Sequence, residues 1–379
     1  MAAHPDRISQ ARIPELDGLR GMAILAVWIG HYFAIPGEGM FRFLDGYWFR
    51  LGWTGVDLFF VLSGFLIGGI LLDVRDSPSY FKTFYARRIY RIIPLYYAWI
   101  VAYIVLVTAA GPFLIAHFGT FEGVDFAVLS QFLFLQNFGE FLTSAVSFWW
   151  FAVTWSLAIE EQFYLVSPLL VRYASKRTLT AFLIAVTAGA PLLRLVIRSH
   201  FDSGPWLAFR LMPCRADSLA MGMLAAVLWR NARFREWAAA HSFYLHGLFG
   251  VLLAGVAWLW RWSSDPLLPL TETLGYTWLA LFFAVMVLLA LSCPAAPVAV
   301  LARLGFLRDL GGVSYCIYII HSAIFLFCHQ ILLHTLPVVT NGKAAAVTIL
   351  AASITYAIAK LSWKFFEEPL LRRGHAYKY

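Results

Sequence analysis

A histidine and an arginine in the first apolar segment of the chain are spaced so that they share one face of a helix. Arg20 and His31 are eleven positions apart, which at 100° per residue returns them to nearly the same side of a helix with a rise of about 16 Å. Arg20 would then lie at one mouth of a membrane, and His31 in the opposite half of the bilayer. An imidazole there is suited to proton transfer; the simpler interpretation of His31 is a structural histidine.

Ionisable side chains inside apolar segments mark candidate sites, because a charge in hydrocarbon is costly. Asp57 lies near the start of the second apolar segment, at the predicted depth of His31. A carboxylate there would fix the tautomer of the imidazole and raise its basicity. The alternative is that Asp57 caps a helix that begins at Thr54–Gly55.

Two further segments carry charges in the predicted membrane interior. In WSLAIEEQFY, Glu160 lies at mid-membrane and Tyr164 one turn below it. The adjacent Glu161 points about 100° away from Glu160, so one of the two carboxylates is expected to face the bundle interior. In RADSLAMG, Arg215 and Asp217 lie near the outer end of a span. An ion pair of Arg215 with Asp217, or with Glu160, is the simpler interpretation of this motif.

The segment SYCIYIIH places three polar side chains on one helical face. Ser314, Tyr318 and His321 follow one another at spacings of four and three. A serine–histidine nucleophile is conceivable, but Ser314 and His321 would be about 10 Å apart along the axis. That distance favours a polar packing seam.

An arginine cluster begins the third apolar segment, in FYARRIYRIIP. Arg87 and Arg91 are four positions apart and Arg88 and Arg91 three apart, so at least two guanidiniums can converge. Such a fork suits phosphate; the alternative is a topogenic anchor among lipid headgroups. Because Arg20 is expected at the same membrane level, the cluster together with Arg20 predicts a dock for a phosphorylated donor below His31.

The elements that position these residues are predicted to be membrane-spanning helices. Of the 379 residues, 61% are hydrophobic and 13% charged, about half the charge of a soluble domain. This composition excludes a disordered or nucleic-acid-binding chain despite the net charge of +8. Segments of about 20 apolar residues can cross a bilayer, and ten qualify: 18–36, 53–72, 89–110, 151–172, 179–198, 212–229, 243–260, 273–292, 311–333 and 344–366. The shorter stretch 126–138 predicts a re-entrant or interfacial helix.

The distribution of Lys and Arg predicts the orientation of these spans. With both termini cytoplasmic, 21 of the 29 Lys and Arg residues fall on the cytoplasmic side, and the long connection 111–150, which has none, lies outside. The four cysteines are scattered in or beside apolar stretches and are expected to be reduced and inert. The polar N-terminus has no separate apolar core, so no cleaved signal peptide is expected.

Seven motifs together resemble the acyltransferase-3 family of bacterial integral-membrane O-acyltransferases. The resemblance runs from about Ile13 to Arg373 and is carried, in order, by LDGLRGMAILAVWIGH, GVDLFFVLSGFLI, FYARRIYRIIPLYY, WSLAIEEQFY, RADSLAMG, GGVSYCIYIIH and FFEEPLLRR. It implies one membrane domain over 1–379, with a cytoplasmic segment 1–17, a transmembrane core 18–366 and a cytoplasmic tail 367–379. Some relatives carry a fused extracytoplasmic domain, whereas this chain resembles the stand-alone type.

The resemblance also assigns roles to individual residues. It makes His31 the residue essential for transfer and associates the basic residues at the cytoplasmic mouth with the acyl-coenzyme A (acyl-CoA) donor. It marks Glu160, not Glu161, as the family carboxylate, while Glu367-Glu368-Pro369 departs from the usual Glu-Arg-Pro. The expected catalytic residues are His31, Glu160 and Asp57, and the expected donor-binding residues are Arg20, Arg87, Arg88 and Arg91. The expected substrate-binding residues are Trp155, Tyr164, Arg215, Asp217, Tyr318 and His321; no metal is expected.

The implied reaction is O-acylation of a carbohydrate or lipid-linked glycan at the bacterial inner membrane, with acetyl-CoA as the default donor. His31 would act as general base or as acyl carrier, Asp57 or Glu160 would orient its ring, and Arg215 or a tyrosine hydroxyl would stabilise the oxyanion. The competing class is a transporter of an anionic or glycan-lipid solute, although no internal repeat is evident. The outer segments 37–52 and 139–150 are aromatic-rich, which suits either sugar stacking or the ordinary interfacial belt.

Overall fold

The fold is all-helical. A computed structural model describes residues 13–33, 51–118, 126–138 and 145–379, and these ranges contain helices and turns but no β-strand. The prediction of an all-α membrane protein is confirmed. Of the two aromatic-rich segments 37–52 and 139–150, the described residues include only 51–52 and 145–150.

The α-helices are numbered in chain order through the described ranges. They are α1 (Pro14–Phe33), α2 (Gly55–Asp73), α3 (Tyr80–Phe118), α4 (Phe126–Phe132), α5 (Ala145–Phe151), α6 (Thr154–Tyr173), α7 (Lys176–His200), α8 (Gly204–Arg210), α9 (Met212–Trp229), α10 (Ala232–Ala240), α11 (Ser242–Trp262), α12 (Tyr276–Ser292), α13 (Pro297–Ala302), α14 (Gly305–Leu333), α15 (Gly342–Ser362) and α16 (Glu368–His375). Short π-helical turns, Thr271–Gly275 and Trp363–Glu367, precede α12 and α16.

Eight helical segments in the described part of the chain are long and apolar enough to cross a membrane. They are Gly52–Asp73, Tyr80–Ile115, Lys176–His200, Gly204–Trp229, Ser242–Trp262, Thr271–Ser292, Gly305–Leu333 and Gly342–His375. Each contains or overlaps one of the ten predicted spans. The chain is therefore a multi-pass membrane protein.

The other two predicted spans correspond to α1 and α6. Both helices have 20 residues, which corresponds to a length of about 30 Å. Polar and charged side chains, among them Arg20 in α1 and Glu160 and Glu161 in α6, interrupt their apolar sequence. Their crossing of the membrane, and hence the count of ten, stays a prediction.

Two helices differ in length from the apolar stretches that predicted them. Helix α3 begins at Tyr80, nine residues before the predicted span, because its arginine-rich start is polar yet helical. The stretch 126–138 forms only the seven-residue α4 and a short 3₁₀ turn at Gln136–Phe138. Helix α4 is much shorter than a membrane-spanning helix.

The described contacts group into two compact units. The first unit comprises 1–27, 53–80 and 162–312, and the second comprises 28–52, 81–161 and 313–379. The core of the first unit is formed by apolar residues of α2, α9 and α12, such as Leu62, Ala226 and Val287.

Helices α2 and α9 of the first unit cross at two glycines. A Cβ atom at Gly64 would overlap the carbonyl oxygen of Leu219, and one at Gly222 would overlap that of Val61. Small residues allow backbones to approach closely in membrane bundles. These contacts explain Gly64 of GVDLFFVLSGFLI and Gly222 of RADSLAMG in terms of packing.

A second close crossing, between α1 and α14, holds the helix turn that carries Arg20. A Cβ atom at Gly21 would overlap the Leu307 carbonyl, and one at Gly311 would overlap the Asp17 carbonyl. The backbone beside Arg20 is therefore fixed by direct helix–helix contact.

Candidate active site

The second unit brings two histidines from distant motifs into contact. The ring centroids of His31, on α1, and His321, on α14, are 5.0 Å apart and their planes are inclined at 71°, an edge-to-face arrangement. His321 is fully buried. The sequence singled out both residues but did not pair them.

The His321 ring is held by its own helix. Its Nδ1 lies 3.1 Å from the carbonyl oxygen of Ile317 and 2.8 Å from that of Tyr318. Its Nε2 lies 3.3 Å from the hydroxyl of Ser322. The serine beside the imidazole is thus Ser322, whereas the sequence had drawn attention to Ser314.

Tyr318, three residues before His321, contacts the segment that carries Glu160. The hydroxyl of Tyr318 lies 2.5 Å from Ser156 Oγ and donates to the Val153 carbonyl at 3.0 Å. Trp155, next to Ser156, is buried. The structure therefore brings WSLAIEEQFY and SYCIYIIH together within the second unit. The point of contact, Ser156, lies about one helical turn before Glu160.

Glu160 and Glu161 are both partly buried. Arg88 lies close enough to Glu161 for their charges to attract each other. One oxygen of Glu161, Oε1, is buried and accepts no hydrogen bond from the described residues. The resemblance marked Glu160, and the choice between the two carboxylates stays a prediction.

The three arginines at the start of α3 have different partners. Arg88 is close to Glu161. The charge of Arg91 acts on the buried Glu367, whose Oε1 accepts a hydrogen bond from Ser362 at 2.9 Å. The charges of all three arginines also act on His375, and the convergence expected from their spacing stays a prediction.

Arg87 binds the C-terminal segment. Its Nε and Nη2 donate to the Tyr377 carbonyl at 3.0 and 2.7 Å, and its guanidinium lies 4.8 Å from the centroid of the Tyr379 ring. Thr83, one turn earlier, donates to the Lys378 carbonyl at 2.8 Å. Burial raises the pKa of the Tyr379 phenol, while the positive charges of Arg87 and Arg88 oppose the rise.

The first unit contains two adjacent buried ion pairs. Arg215 Nη2 donates to Asp57 Oδ1 at 2.5 Å, and Arg194 Nη1 donates to Asp217 Oδ2 at 2.9 Å. The side chains of all four residues are at most 1% exposed. The simpler interpretation of the motif paired Arg215 with Asp217 or with Glu160, whereas in the structure Arg215 forms an ion pair with Asp57, and Asp217 is bound by Arg194 and Thr277.

These pairs constrain the role expected of Asp57. Its Oδ1 also accepts from Ser218 Oγ at 3.3 Å, and the Arg215 guanidinium lies 3.9 Å from the centroid of the Tyr276 ring. The side chain of Thr54, the residue before α2, makes no capping hydrogen bond. Asp57 is engaged chiefly by Arg215, so an orienting role for its carboxylate would compete with a buried ion pair.

Arg194 ties this network to the π-helical turn before α12. Its Nη2 donates to the Thr273 carbonyl at 2.9 Å and to the Thr277 hydroxyl at 2.8 Å. Nearby, Arg198 forms an ion pair with the buried Glu272. Tyr164, another predicted site residue of this unit, donates to Ser63 Oγ at 3.1 Å.

An aromatic pair in the second unit explains one of the outer tryptophans. Trp99 and Trp150 stack with ring centroids 4.0 Å apart, and each indole N–H donates to the other residue's carbonyl. Trp150 is therefore a packing residue.

Comparison with known proteins places these residues in a family. Residues 13–360 match the acyltransferase domain family, a range that includes every predicted site residue. No solved structure matches the chain.

Several longer bacterial proteins are similar to the chain. The peptidoglycan O-acetyltransferase OatA of Listeria monocytogenes is 28% identical over 97% of this chain and 57% of its own length. The putative peptidoglycan O-acetyltransferase YrhL of Bacillus subtilis is 27% identical over 96% of this chain and 55% of its own. A putative O-acetyltransferase of Staphylococcus aureus strain COL is 26% identical over 96% and 58%. The chain thus spans little more than half the length of these relatives.

Proposed function

We propose that this chain, which belongs to the acyltransferase-3 family, transfers an acyl group from cytoplasmic acyl-CoA to a hydroxyl of a carbohydrate acceptor at the bacterial inner membrane. The relatives named as O-acetyltransferases support acetyl as the group. The observation that carries the proposal is the contact of His31 with the buried His321 on helices of a membrane protein. Ionisable groups at such a place are costly and mark functional sites.

The donor is proposed to bind through its phosphates at the start of α3. Arg88 and Arg91 are the arginines of the second unit assigned this role, since guanidinium groups bind phosphate oxygens in a bidentate manner. Arg87 is the weaker candidate because its guanidinium is bound to Tyr377 and Tyr379. Arg20, predicted from the sequence for the same role, belongs in the same set of variants.

His31 is proposed to remove the proton of the acceptor hydroxyl as its oxygen attacks the thioester carbonyl. The carbon–sulfur bond then breaks, and the proton held by the imidazole passes to the departing thiolate of CoA. General-base assistance of this kind contributes about 10² to 10⁴ in rate. Glu160 is proposed to support His31, while Trp155 and Tyr318 shape the acceptor side of the second unit.

A second route has His31 itself acylated. The imidazole nitrogen would attack the thioester and release CoA, and the acceptor oxygen would then take the acyl group from the ring. Incubation with labelled acetyl-CoA in the absence of acceptor separates the routes. A label on His31 identifies the two-step route, and free CoA formed only with acceptor identifies direct transfer.

The acceptor is proposed to be a glycan of the cell envelope. Two of the relatives are named for peptidoglycan, which makes it the first acceptor to test. Mass spectrometry of envelope glycans from cells with and without the gene would show a missing acetyl increment. If the glycans are unchanged, the acceptor class is wrong.

Purified protein in liposomes tests the proposed reaction against its rival. The expected result is release of free CoA from acetyl-CoA that depends on an added glycan acceptor. Uptake of labelled solute with no thiol released from any acyl donor would establish a transporter and overturn the proposal.

A further inference from the structure

A network of four neutral polar side chains is buried in the second unit, where α3, α4 and α6 meet. This glutamine network comprises Tyr96 of α3, Gln131 of α4, Gln136 of the short 3₁₀ turn and Thr154 of α6, each at most 8% exposed. The Tyr96 hydroxyl donates to Gln131 Oε1 at 2.8 Å, and the Thr154 hydroxyl lies 2.9 Å from the same oxygen. The oxygen of the Gln131 amide is therefore engaged within the network.

The amide of Gln136 has only one orientation that satisfies its neighbours. Its Nε2 donates to the Tyr96 hydroxyl at 3.0 Å and to the backbone carbonyl of Thr154 at 2.9 Å. A backbone carbonyl can only accept, so the nitrogen of the amide, and not its oxygen, must face Thr154. Gln136 Oε1 is buried, and none of the described residues donates a hydrogen bond to it. A buried carbonyl oxygen without a donor is costly, which makes this atom a candidate contact for a ligand.

The segment that carries Gln136 is held against α3 in a strained conformation. Phe134, between the two glutamines, has a φ of +54°, in the left-handed region that phenylalanine rarely adopts. Its ring stacks on Tyr96 with centroids 4.9 Å apart, and the Tyr97 hydroxyl donates to the Phe132 carbonyl at 2.8 Å. Strained backbone positions cluster at functional and ligand-binding places. The turn thus holds Gln136 at a defined position beside Tyr96.

The glutamine network adjoins the acceptor side of the second unit. Thr154 lies two residues before Ser156, which contacts Tyr318, and Tyr318 lies three residues before His321. All four side chains of the network are neutral, so the network does not favour an anion such as a phosphate group. Gln136 Oε1 requires a neutral N–H or O–H donor. The hydroxyl and acetamido groups of a sugar supply such donors.

We infer that Gln136 is a binding residue for the acceptor glycan, its Oε1 accepting a hydrogen bond from a hydroxyl or an acetamido N–H of the sugar. This inference rests on the proposed function, which makes a glycan the acceptor. Tyr96 and the Thr154 carbonyl position the Gln136 amide, and Gln131 acts on it only through them.

Matched substitutions of the two glutamines test this assignment. Gln136→Met removes the proposed contact with the sugar. Gln131→Met removes the bonds of Gln131 with Tyr96 and Thr154 but leaves both bonds of Gln136 in place. Gln136→Asn, which retains an amide but is shorter by one methylene group, replaces Gln136→Met if that variant does not fold.

The expected result is a rise of about 2- to 10-fold in the KM for a peptidoglycan fragment in the Gln136 variant, the loss expected of one hydrogen bond. The KM for acetyl-CoA should be unchanged. Gln131→Met should be less stable and should keep both KM values. An unchanged KM for the fragment in a folded Gln136 variant, or an equal rise in Gln131→Met, would overturn the inference.

Binding measured without a donor keeps the inference separate from the proposed reaction. Protein in nanodiscs is titrated calorimetrically with chitotriose, whose sugars carry acetamido groups, and with cellotriose, whose sugars carry only hydroxyls. A loss of chitotriose affinity alone in the Gln136 variant assigns the acetamido N–H, and a loss of affinity for both assigns a hydroxyl. Affinities that do not depend on Gln136 would overturn the inference even if acetyl transfer is observed. Binding that depends on Gln136 without any acetyl transfer would contradict the proposed reaction instead.

Discussion

Arg87, Arg88 and Arg91 are chemically alike and close in sequence, yet they differ in what surrounds them. Two of them lie near carboxylates, Glu161 and Glu367, and the third is held by the backbone of Tyr377. The Nε and Nη2 of Arg87 already donate to a carbonyl, and its guanidinium lies beside the Tyr379 ring. Replacement of Arg87 should therefore change the C-terminal segment more than it changes donor binding.

Replacing each arginine by alanine should separate donor binding from binding of the C-terminal segment. Arg88→Ala and Arg91→Ala are expected to raise the KM for acetyl-CoA about tenfold or more, because a charge-assisted hydrogen bond contributes about 1.5–3 kcal/mol. Arg87→Ala should leave that KM unchanged and increase the mobility of a spin label at position 378. The assignment is contradicted if Arg87→Ala raises KM as strongly as Arg88→Ala.

At the residue scale, the sequence showed which ionisable residues stand out but not which residues they contact. His31, His321, Asp57 and Arg215 stand out because ionisable groups are rare in apolar segments. Their pairing did not follow, because Asp57 and Arg215 are 158 positions apart and only tertiary packing selects Asp57 over Asp217.

At the element scale, the glycines at the α2–α9 crossing are expected to be necessary for assembly of the first unit. Gly64→Ala and Gly222→Ala each place a methyl group against a backbone carbonyl that cannot easily move. Overpacking of this kind costs about 1–3 kcal/mol, so both variants should melt at lower temperature in detergent.

Gly250→Ala in α11 is the matched control for the crossing. A Cβ atom there meets nothing within 4 Å, and alanine is the better helix former by about 1 kcal/mol. This variant should be as stable as the unaltered protein or more so. Equal melting temperatures for all three variants would show that the crossing tolerates a side chain.

The ion pair between α2 and α9 gives a further prediction at the element scale. Arg215→Met leaves Asp57 buried without its cation and should destabilise the protein by about 3–5 kcal/mol, whereas the double variant with Asp57→Leu should recover most of that loss. Arg261→Met, at an exposed site on α11, should have little effect. Thermal unfolding followed by size-exclusion chromatography measures all of these variants.

The double variant also decides the role of Asp57. Recovered folding with normal acyl transfer would make Asp57 and Arg215 a structural pair. Recovered folding with no transfer would support the catalytic role predicted for Asp57. A double variant as unstable as Arg215→Met would show that the pair is not the main interaction of either residue.

The bounds of a helix were predicted well where the helix coincides with an apolar stretch. They were predicted poorly where polar residues or tertiary contacts extend or alter the helix. Helix α9 has the predicted bounds, 212–229. Helix α3 extends beyond its predicted span because Arg87 and its neighbours favour a helix without adding apolar character. The π-helical turn at Thr271–Gly275 has no sequence signal, since it depends on contacts such as that of Arg194 with the Thr273 carbonyl.

At the scale of the whole molecule, the distribution of Lys and Arg predicts an orientation in the membrane that can be tested directly. Lys176 and Lys343 are both exposed residues near helix starts, at the beginnings of α7 and α15. In a variant without native cysteines, a membrane-impermeant maleimide should label Lys343→Cys in right-side-out vesicles and should not label Lys176→Cys. The opposite pattern would invert the topology and move the arginines of α3 away from cytoplasmic CoA.

Acetyl transfer with and without His31 tests the proposed reaction most directly. Purified protein in liposomes, given labelled acetyl-CoA and a peptidoglycan fragment, should transfer label to the fragment. His31→Ala should transfer acetyl at least about 10²-fold more slowly and should keep the melting temperature and the CoA affinity of the unaltered protein. His329→Ala should retain transfer. Undiminished transfer by a folded His31→Ala protein would contradict the account.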